Sequence, residues 1–430
     1  MLTREENELL TRVGPGTMMG NMFRRFWMPA CTSAQLGSKP DSDPVRIRLL
    51  GENLIAFRDT NGKIGVLEEL CMHRGASLAL GRVEDCGIRC IYHGWKYAVD
   101  GTVLDIPNIS DQRVKEKLKA VSYPVKESGG IIWIYMGSAD KQPELPHFPF
   151  LDLPEKNRVV LRANVKVNYL QALEGGFDTS HAAILHANLR KEWWKNDPLP
   201  DLAQRLAGKL APDIEIEDTE FGFHYAALRE GGMFVSREPG VNVRIHPFIM
   251  PATRMTPYSN GQLTMNFEAP ADDEHTSTFR VNFTRGESPI DMKAQMRRSA
   301  FDDPRYWKDE NGEQTYVANA ENRWHQDRDS MRKHESWSGL MGVSTEDAAI
   351  MDSMGPIYDR TKEHLVGSDA AIVRLRRKLM EAARLVADGK DPIGWGADLS
   401  KVQPYDGALP ETGHWRQCVP GHRVTSRHTA

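Results

Sequence analysis

Two cysteines and two histidines in the first quarter of the chain carry its clearest chemical signal. They stand as Cys71-Met72-His73, then sixteen intervening residues, then Cys90-Ile91-Tyr92-His93. Each half runs into a glycine turn, Arg74-Gly75 in one and Gly94-Trp95 in the other. Each segment offers one thiolate and one imidazole, so two adjacent loops suit a [2Fe–2S] cluster clamped from both sides. Thiolates on one iron and neutral imidazoles on the other raise the reduction potential well above that of an all-cysteine cluster. A structural Cys₂His₂ zinc site uses the same residue types but pairs both cysteines in one knuckle and both histidines in another. The order found here favours the cluster. Cys31, Cys86 and Cys418 are scattered, and an odd total of five argues against a disulfide framework and for a reducing compartment.

A second constellation follows: Asn168, Gln171, Glu174, Asp178, His181 and His186 within nineteen residues. Asp178 and His181 are three apart and would share a face if helical. His181 and His186 are five apart, about 140° off one another on a regular helix. Both reach one metal only if the helix ends or bulges between them. Two histidines and a carboxylate with open positions make the usual oxygen-activating ferrous site, and an electron carrier in the same chain needs such a sink. Asn168, Gln171 and Glu174 sit at helical spacing on the face leading to Asp178. They are expected either to orient the ligands or to form the polar side of a helix at an interface.

These groups need elements to hold them. At 430 residues the chain has room for two or three domains. Apolar residues make up 40%, and no stretch approaches the uncharged run of about twenty that crosses a bilayer. The opening reads as a capped helix, Thr3 as N-cap with Glu6 three residues on, rather than a signal peptide. A formal charge of −4 leaves no basic patch for nucleic acid. Short strand patterns at 45–50, 54–58, 64–67, 87–91 and 130–135, with Asn61-Gly62 and Asp100-Gly101 turns, describe a small antiparallel β domain over 45–140. Residues 1–44 are expected to be a helical segment packed on a catalytic domain. Proline-rich 141–150 reads as a linker. Residues 151–430 mix strands (158–167, 221–228, 262–268, 276–284) with helices, the clearest at 369–387, in an α+β unit able to enclose a cavity.

With C-x-H…C-x-x-H followed by N-x-x-Q-x-x-E-x-x-x-D-x-x-H-x₄-H, the chain resembles the catalytic (alpha) subunit of the Rieske non-heme iron aromatic-ring-hydroxylating oxygenases. Ala76 and Tyr92 stand where respiratory Rieske proteins carry their extra cysteines. The likeness covers nearly the whole chain. Val13-Gly-Pro-Gly-Thr17, Ser353-Met-Gly-Pro-Ile-Tyr-Asp-Arg360 and Glu363-His364-Leu365 look most like the phthalate dioxygenase group. The resemblance implies an α+β fold with a small antiparallel β Rieske domain and a larger helix-grip (START-like) catalytic domain. It implies a [2Fe–2S] cluster on Cys71, His73, Cys90 and His93, and a mononuclear Fe(II) on His181 and His186. Asp178 becomes the inter-subunit bridge that accepts a hydrogen bond from His93 of a neighbour, in a trimer or stacked hexamer. The third iron ligand falls in 344–352, where Asp347 is the choice, with Glu346, Asp352 and the more remote Asp359 left open. Without the family, Glu346-Asp347 reads equally well as the acidic first turn of a helix.

Arg244 lies in an otherwise apolar strand pattern and would pair with a substrate carboxylate as a bidentate fork. Arg205, in 199–211, is a second candidate. His224, His246 and Met250 line the pocket or fill the core, and Tyr92 and Trp95 pack around the cluster. The resemblance then implies an oxygenase component that uses O₂ and NADH, through a separate flavin and iron–sulfur reductase. Its reaction would be cis-dihydroxylation of an aromatic carboxylate such as a phthalate isomer or (chloro)benzoate. The same parts run monooxygenation or O-demethylation of an aromatic acid, and a reading from another class is an electron-transfer or sensor iron–sulfur protein. The expected setting is cytoplasmic, without nucleic acid or membrane.

Overall fold

The chain begins with the helix Arg4–Thr11. The Thr3 hydroxyl accepts from the Glu6 amide, and the Glu6 carboxylate accepts from the Thr3 amide, satisfying two otherwise unpaired donors. The computed structural model describes residues 1–188, 211–230, 240–257, 262–287, 289–409 and 413–419. The expectation of a purely helical segment over 1–44 needs correction. Trp27–Thr32 is a strand, paired antiparallel with Ile131–Tyr135, which pairs in turn with Val125–Ser128. All six of its residues are buried, so no alternation marks it, and Pro29 disguises it further at a register shift between Pro29 and Cys31.

Two further antiparallel sheets complete the small β unit. One joins Val45–Leu49, Glu52–Arg58 and Ile64–Glu68; the other joins Arg82–Glu84, Gly87–Arg89, Lys96–Tyr97 and Val103–Asp105. Between them Ile55, Phe57, Leu67, Ile88 and Tyr97 form a core that also encloses Cys71, Cys90 and Trp95. The cluster loops are therefore anchored in packed apolar matter while their tips stay at the surface.

The larger unit is built on a ten-stranded sheet. Its order is Asp213–Thr219, Gly222–Glu230, Val241–Ile249, Thr253–Pro257, Gln262–Pro270, Thr276–Thr284, Arg158–Val165, Glu313–Tyr316, Trp307–Glu310, with Tyr405–Ala408 against Val241–Ile249. All pairings are antiparallel except Arg158–Val165 with Glu313–Tyr316. The helix Tyr169–Phe177 packs on the strands Thr253–Pro257 and Gln262–Pro270, and the helix Val343–Ser353 packs on Tyr169–Phe177. The amphipathic helix Ala370–Ala387 buries Ile372, Leu375, Leu379 and Ala383, each large aliphatic side chain contributing about 1.5–3 kcal/mol of transfer free energy. One apolar core joins this helix, the N-terminal helices, the Trp27–Thr32 sheet and the large sheet. Among the described residues, no helix is long and apolar enough to cross a membrane.

Candidate active site

The two cysteine loops share one construction. In each, the cysteine carbonyl accepts from the glycine four residues on (Gly75 N to Cys71 O, 2.8 Å; Gly94 N to Cys90 O, 3.0 Å). The cysteine amide in turn donates to the carbonyl five residues on, of Ala76 and Trp95, both at 2.8 Å. Closing so tight a turn requires the left-handed backbone at Gly75 (φ +70°) and Gly94 (φ +77°), which a side chain would strain. The His73 and His93 rings lie 4.5 Å apart, and His73 stacks flat on Trp95 at 4.7 Å. Both cysteines are buried, and Tyr97 Oη sits 3.0 Å from Cys71 Sγ. His73 Nδ1 is buried with no hydrogen-bond partner, a position that ligation would satisfy. Donor chemistry and this orphaned nitrogen fit a mixed-ligand cluster.

The second site forms where the helix Tyr169–Phe177 stops. Asp178 is its C-cap, in extended conformation, and His181 opens a short 3₁₀ turn, His181–Ala183. His186 lies in the next turn, Leu185–Asn188, at φ −88°, ψ 28°. The helix thus ends before either histidine, and this end, rather than a bulge, turns both rings to one side. Asp178 and His181 meet not across a helical face but because Asp178 caps the turn. Its Oδ1 accepts from the Ser180 amide at 2.7 Å, and its Oδ2 from the His181 amide at 3.1 Å. Oδ2 also lies 3.1 Å from His181 Nδ1, which leaves Nε2 directed elsewhere.

Both Nε2 atoms point to Asp347, on the helix Val343–Ser353. Asp347 Oδ1 is 3.1 Å from His186 and 3.6 Å from His181, and one donor atom from each of the three residues lies within 4.8 Å of the others. Donors about 2.1 Å from a shared ion lie about 3–4 Å from each other, so the spacing and the two-nitrogen, one-oxygen set fit a ferrous site with open positions. Electrostatics agree. Burial alone would depress His186, but Asp347 and Glu346 outweigh it and raise it to about 10. His181 is likewise raised to about 9, with Asp178 and Asp347 overcoming desolvation. Asp347 is held far below the usual carboxylate range, because the two imidazoles outweigh its desolvation.

The alternatives for the third ligand have other partners. Glu346 is buried, with Oε2 2.7 Å from His186 Nδ1 and Oε1 accepting from Ser338 Oγ at 2.5 Å. Asp352 accepts from Trp324 Nε1 at 2.8 Å, and Asp359 caps Thr361. Asn168, Gln171 and Glu174 do not bond His181, His186 or Asp347, and of their two expected readings the polar side of a helix at an interface is the one their partners favour. Asn168 Nδ2 donates to the carbonyls of Thr11 and Asp273, and Gln171 bonds Gly355 and Tyr358. Glu174 is enclosed by Arg360 and Arg376. All three face away from the metal side, into the seam with the N-terminal and C-terminal helices. Glu346, which does meet His186 at Nδ1, was legible only as one member of an acidic pair.

Arg244 lies on the sheet face that carries the helix Tyr169–Phe177, two residues from His246 on one strand. It is buried, donates from Nη2 to the Pro257 carbonyl at 2.7 Å, and has Nε 3.5 Å from Asp406. His246 beside it is stacked at 4.9 Å on Tyr225, whose hydroxyl donates to the Phe177 carbonyl at 2.6 Å. Arg229 donates to the Thr179 carbonyl at 2.9 Å; neither Tyr225 nor Arg229 stands out in sequence from an ordinary strand residue. Arg205 lies outside the described residues. Tyr92 is exposed, its ring 3.8 Å from that of His93.

The Rieske [2Fe-2S] domain family matches residues 26–123, and the family described as LigXa C-terminal domain like matches residues 134–428. The first match includes the strand Trp27–Thr32. The 3-chlorobenzoate-3,4-dioxygenase oxygenase subunit of Comamonas testosteroni is 36% identical over 409 residues, covering 92% of each chain. The phthalate 4,5-dioxygenase oxygenase subunit of Pseudomonas putida is 34% identical over 431 residues, covering 97% of this chain and 94% of its own. Among solved structures, NdmA of Pseudomonas putida CBB5 (the QL mutant with theobromine) shares the fold at a TM-score of 0.61 and 19% identity, over 92% of this chain and 99% of its own.

Proposed function

The chain belongs to the Rieske non-heme iron ring-hydroxylating oxygenases, as a catalytic subunit, and from that premise we propose that it dihydroxylates an aromatic carboxylate. A Rieske [2Fe–2S] cluster and a mononuclear iron are its cofactors, O₂ is its co-substrate, and NADH serves it through a separate reductase. When bound, the cluster relays single electrons and the iron activates O₂. The observation that carries the substrate class is that two relatives matching over nearly their full length are named for a chlorobenzoate and for phthalate. The buried cation of Arg244 on the sheet face supports it. Arg205 is the second candidate contact.

In this reading Cys71, His73, Cys90 and His93 hold the cluster, and His181, His186 and Asp347 hold the iron. Glu346 fixes the His186 ring through Nδ1, and Asp178 fixes His181 in the same way. Asp178 keeps about a quarter of its side chain exposed, and in the proposed assembly that exposed edge is the acceptor for His93 of the partner subunit. Exposed apolar side chains support such a head-to-tail contact, in a trimer or stacked hexamer: Leu70, Met72 and Ile91 in and beside the cluster loops, and Ile184 between His181 and His186. Five unpaired thiols accord with a cytoplasmic setting and with a reductase that delivers electrons there.

The test is oxygen uptake by iron-loaded protein with NADH, a phthalate-type reductase and a panel of phthalates, benzoates, chlorobenzoates and methoxybenzoates. A product heavier by two oxygens and two hydrogens is the expected result. A gain of one oxygen, or loss of a methyl group, would move the chain to the monooxygenases. No uptake with any acid would overturn the substrate class.

A further inference from the structure

The turn that carries Asp178 and His181 is weakly held from within. Gly175 and Gly176 fill the last turn of the helix Tyr169–Phe177, and glycine is second only to proline in disfavouring a helix. The helix end and the turn after it leave carbonyls without an intrahelical partner, and a buried carbonyl left unmet is costly. Two long side chains of one strand meet them. Tyr225 Oη donates to the Phe177 carbonyl at 2.6 Å, and Arg229 Nη2 donates to the Thr179 carbonyl at 2.9 Å. Phe177 and Thr179 are the residues on either side of Asp178.

Tyr225 and Arg229 stand four apart on the strand Gly222–Glu230, so both project from the face that carries the helix, with the small Ala227 between them. Both are buried. The Tyr225 ring is stacked on His246 at 4.9 Å and meets Phe177 edge-on at 4.7 Å, which fixes where its hydroxyl points. Burial lowers the Arg229 guanidinium to about 10, so it stays charged at neutral pH, and Asp178 is among the anions that favour that charge. Asp178 cannot move apart from the turn, because its carboxylate is bonded to the Ser180 and His181 amides and lies against His181 Nδ1. A shift of the turn therefore moves its contact with the iron ligand and its exposed edge together. Misplacing such a group by 1 Å can cost about 100-fold in rate.

We propose that Tyr225 and Arg229 are positioning residues for Asp178: they hold the carbonyls on either side of it, so that its carboxylate meets His181 and the partner subunit's His93 in one fixed pose and electrons pass between the metal centres at full rate. This rests on the bridging role of Asp178 proposed above.

Single-turnover kinetics test it. Holoprotein with its cluster chemically reduced is mixed with oxygenated buffer, with each acid of the panel above and without any, and reoxidation of the cluster is followed by its visible absorption. Rates are compared per iron in the condition where wild type is fastest. Asp178→Asn should slow reoxidation about 100-fold. Tyr225→Phe and Arg229→Gln should each slow it tenfold or more at full cluster content, while Arg229→Lys, which keeps a donor and the charge, should stay within threefold of wild type. Adding Arg229→Gln to Asp178→Asn should slow it less than twofold further, because the residue acts through a carboxylate already gone. If Arg229→Gln does not hold iron, Tyr225→Phe, which removes a single oxygen atom, decides. A slow Asp178→Asn beside wild-type rates in Tyr225→Phe and Arg229→Gln would overturn this inference alone, as would an Arg229→Gln effect undiminished in the Asp178→Asn background. A wild-type rate in Asp178→Asn would overturn the bridging role and this inference with it.

Discussion

The imidazole of His186 is held between two consecutive residues: Nδ1 lies 2.7 Å from Glu346 Oε2, and Nε2 lies 3.1 Å from Asp347 Oδ1. Neighbours on a helix project about 100° apart, so one acid reaches the outer nitrogen while the next faces the metal position. Glu346 is itself fixed by Ser338. Replacing such a partner weakens metal affinity by about 10–100-fold. Glu346→Gln should lose iron within that range when dialysed against a graded chelator series, while the visible absorption of the cluster stays. Glu346→Ala should lose more, because a buried ring nitrogen left unmet costs about 1–3 kcal/mol. Iron retention equal to wild type in both variants would remove Glu346 from the site.

Iron loading should release protons. In the metal-free protein His181 is raised to about 9 and His186 to about 10, so both are protonated at neutral pH, and a ligating imidazole must be neutral. The sign follows: metal competes with protons, so affinity rises with pH up to these values and is pH-independent above them. Calorimetric titration of Fe(II) at pH 7, anaerobically and in two buffers of different ionisation enthalpy, should report about two protons released per iron. Zero release would mean that the imidazoles are already neutral.

Tyr97 Oη, 3.0 Å from Cys71 Sγ, should tune the cluster. A hydrogen bond to a ligating sulfur stabilises the reduced, more negative form, which makes it one of the protein's controls on potential. Tyr97→Phe removes the hydroxyl but keeps the ring, which is fully buried. For a one-electron couple, about 59 mV corresponds to a tenfold change in equilibrium constant, so one hydrogen bond predicts a fall of that order. Redox titration followed by electron paramagnetic resonance checks it; an unchanged or raised potential would contradict the assignment.

Asp178→Asn separates structure from transfer. The asparagine oxygen can still accept from the Ser180 amide, the shorter of the two capping bonds, so the turn and both metals should survive. The anion that pairs with His181, and with His93 of the partner subunit in the proposed assembly, is gone. Turnover should fall by about 100-fold or more at full iron and cluster content, a loss comparable to or greater than that from removing other ligand partners. Wild-type oxygen uptake in this variant would end the bridging role.

How much of this was legible in the sequence follows from the range of each interaction. The cluster ligands, the capping box at Thr3 and Glu6, and most strands of the small unit are set by spacing within a few residues. The strand Trp27–Thr32 was hidden because both its faces are buried and its partner lies about a hundred residues away. The resemblance narrowed the third carboxylate to 344–352, and a choice between Glu346 and Asp347 depends on which way the helix Val343–Ser353 turns against His186. Tyr225 gave no signal at all: a tyrosine in a strand is ordinary until the Phe177 carbonyl, from another element, meets its hydroxyl.

Glu174 shows the cost of reading spacing without partners. Its carboxylate accepts from Arg360 Nη2 at 2.9 Å and Arg376 Nε at 2.6 Å; Arg360 is fully buried, and Arg376 also meets Glu363. Arg360 further bonds Asn7, so the cluster ties the helices Arg4–Thr11, Tyr169–Phe177 and Ala370–Ala387 together. Removing one member of a buried ion pair typically costs about 3–5 kcal/mol, because the partner charges remain without compensation. Glu174→Gln should therefore lower the midpoint of urea unfolding while leaving iron content unchanged, the reverse of Glu346→Gln. Its pH dependence has a definite sign. Burial would raise this carboxyl, but Arg360 and Arg376 outweigh it and hold it below its ordinary value. The stabilisation is thus complete above the unfolded-state value near 4.5 and is lost as pH falls through the lowered folded value; the Gln variant should lack that component of acid sensitivity. Iron loss without loss of stability in Glu174→Gln would restore the ligand-orienting role, the other reading of its spacing.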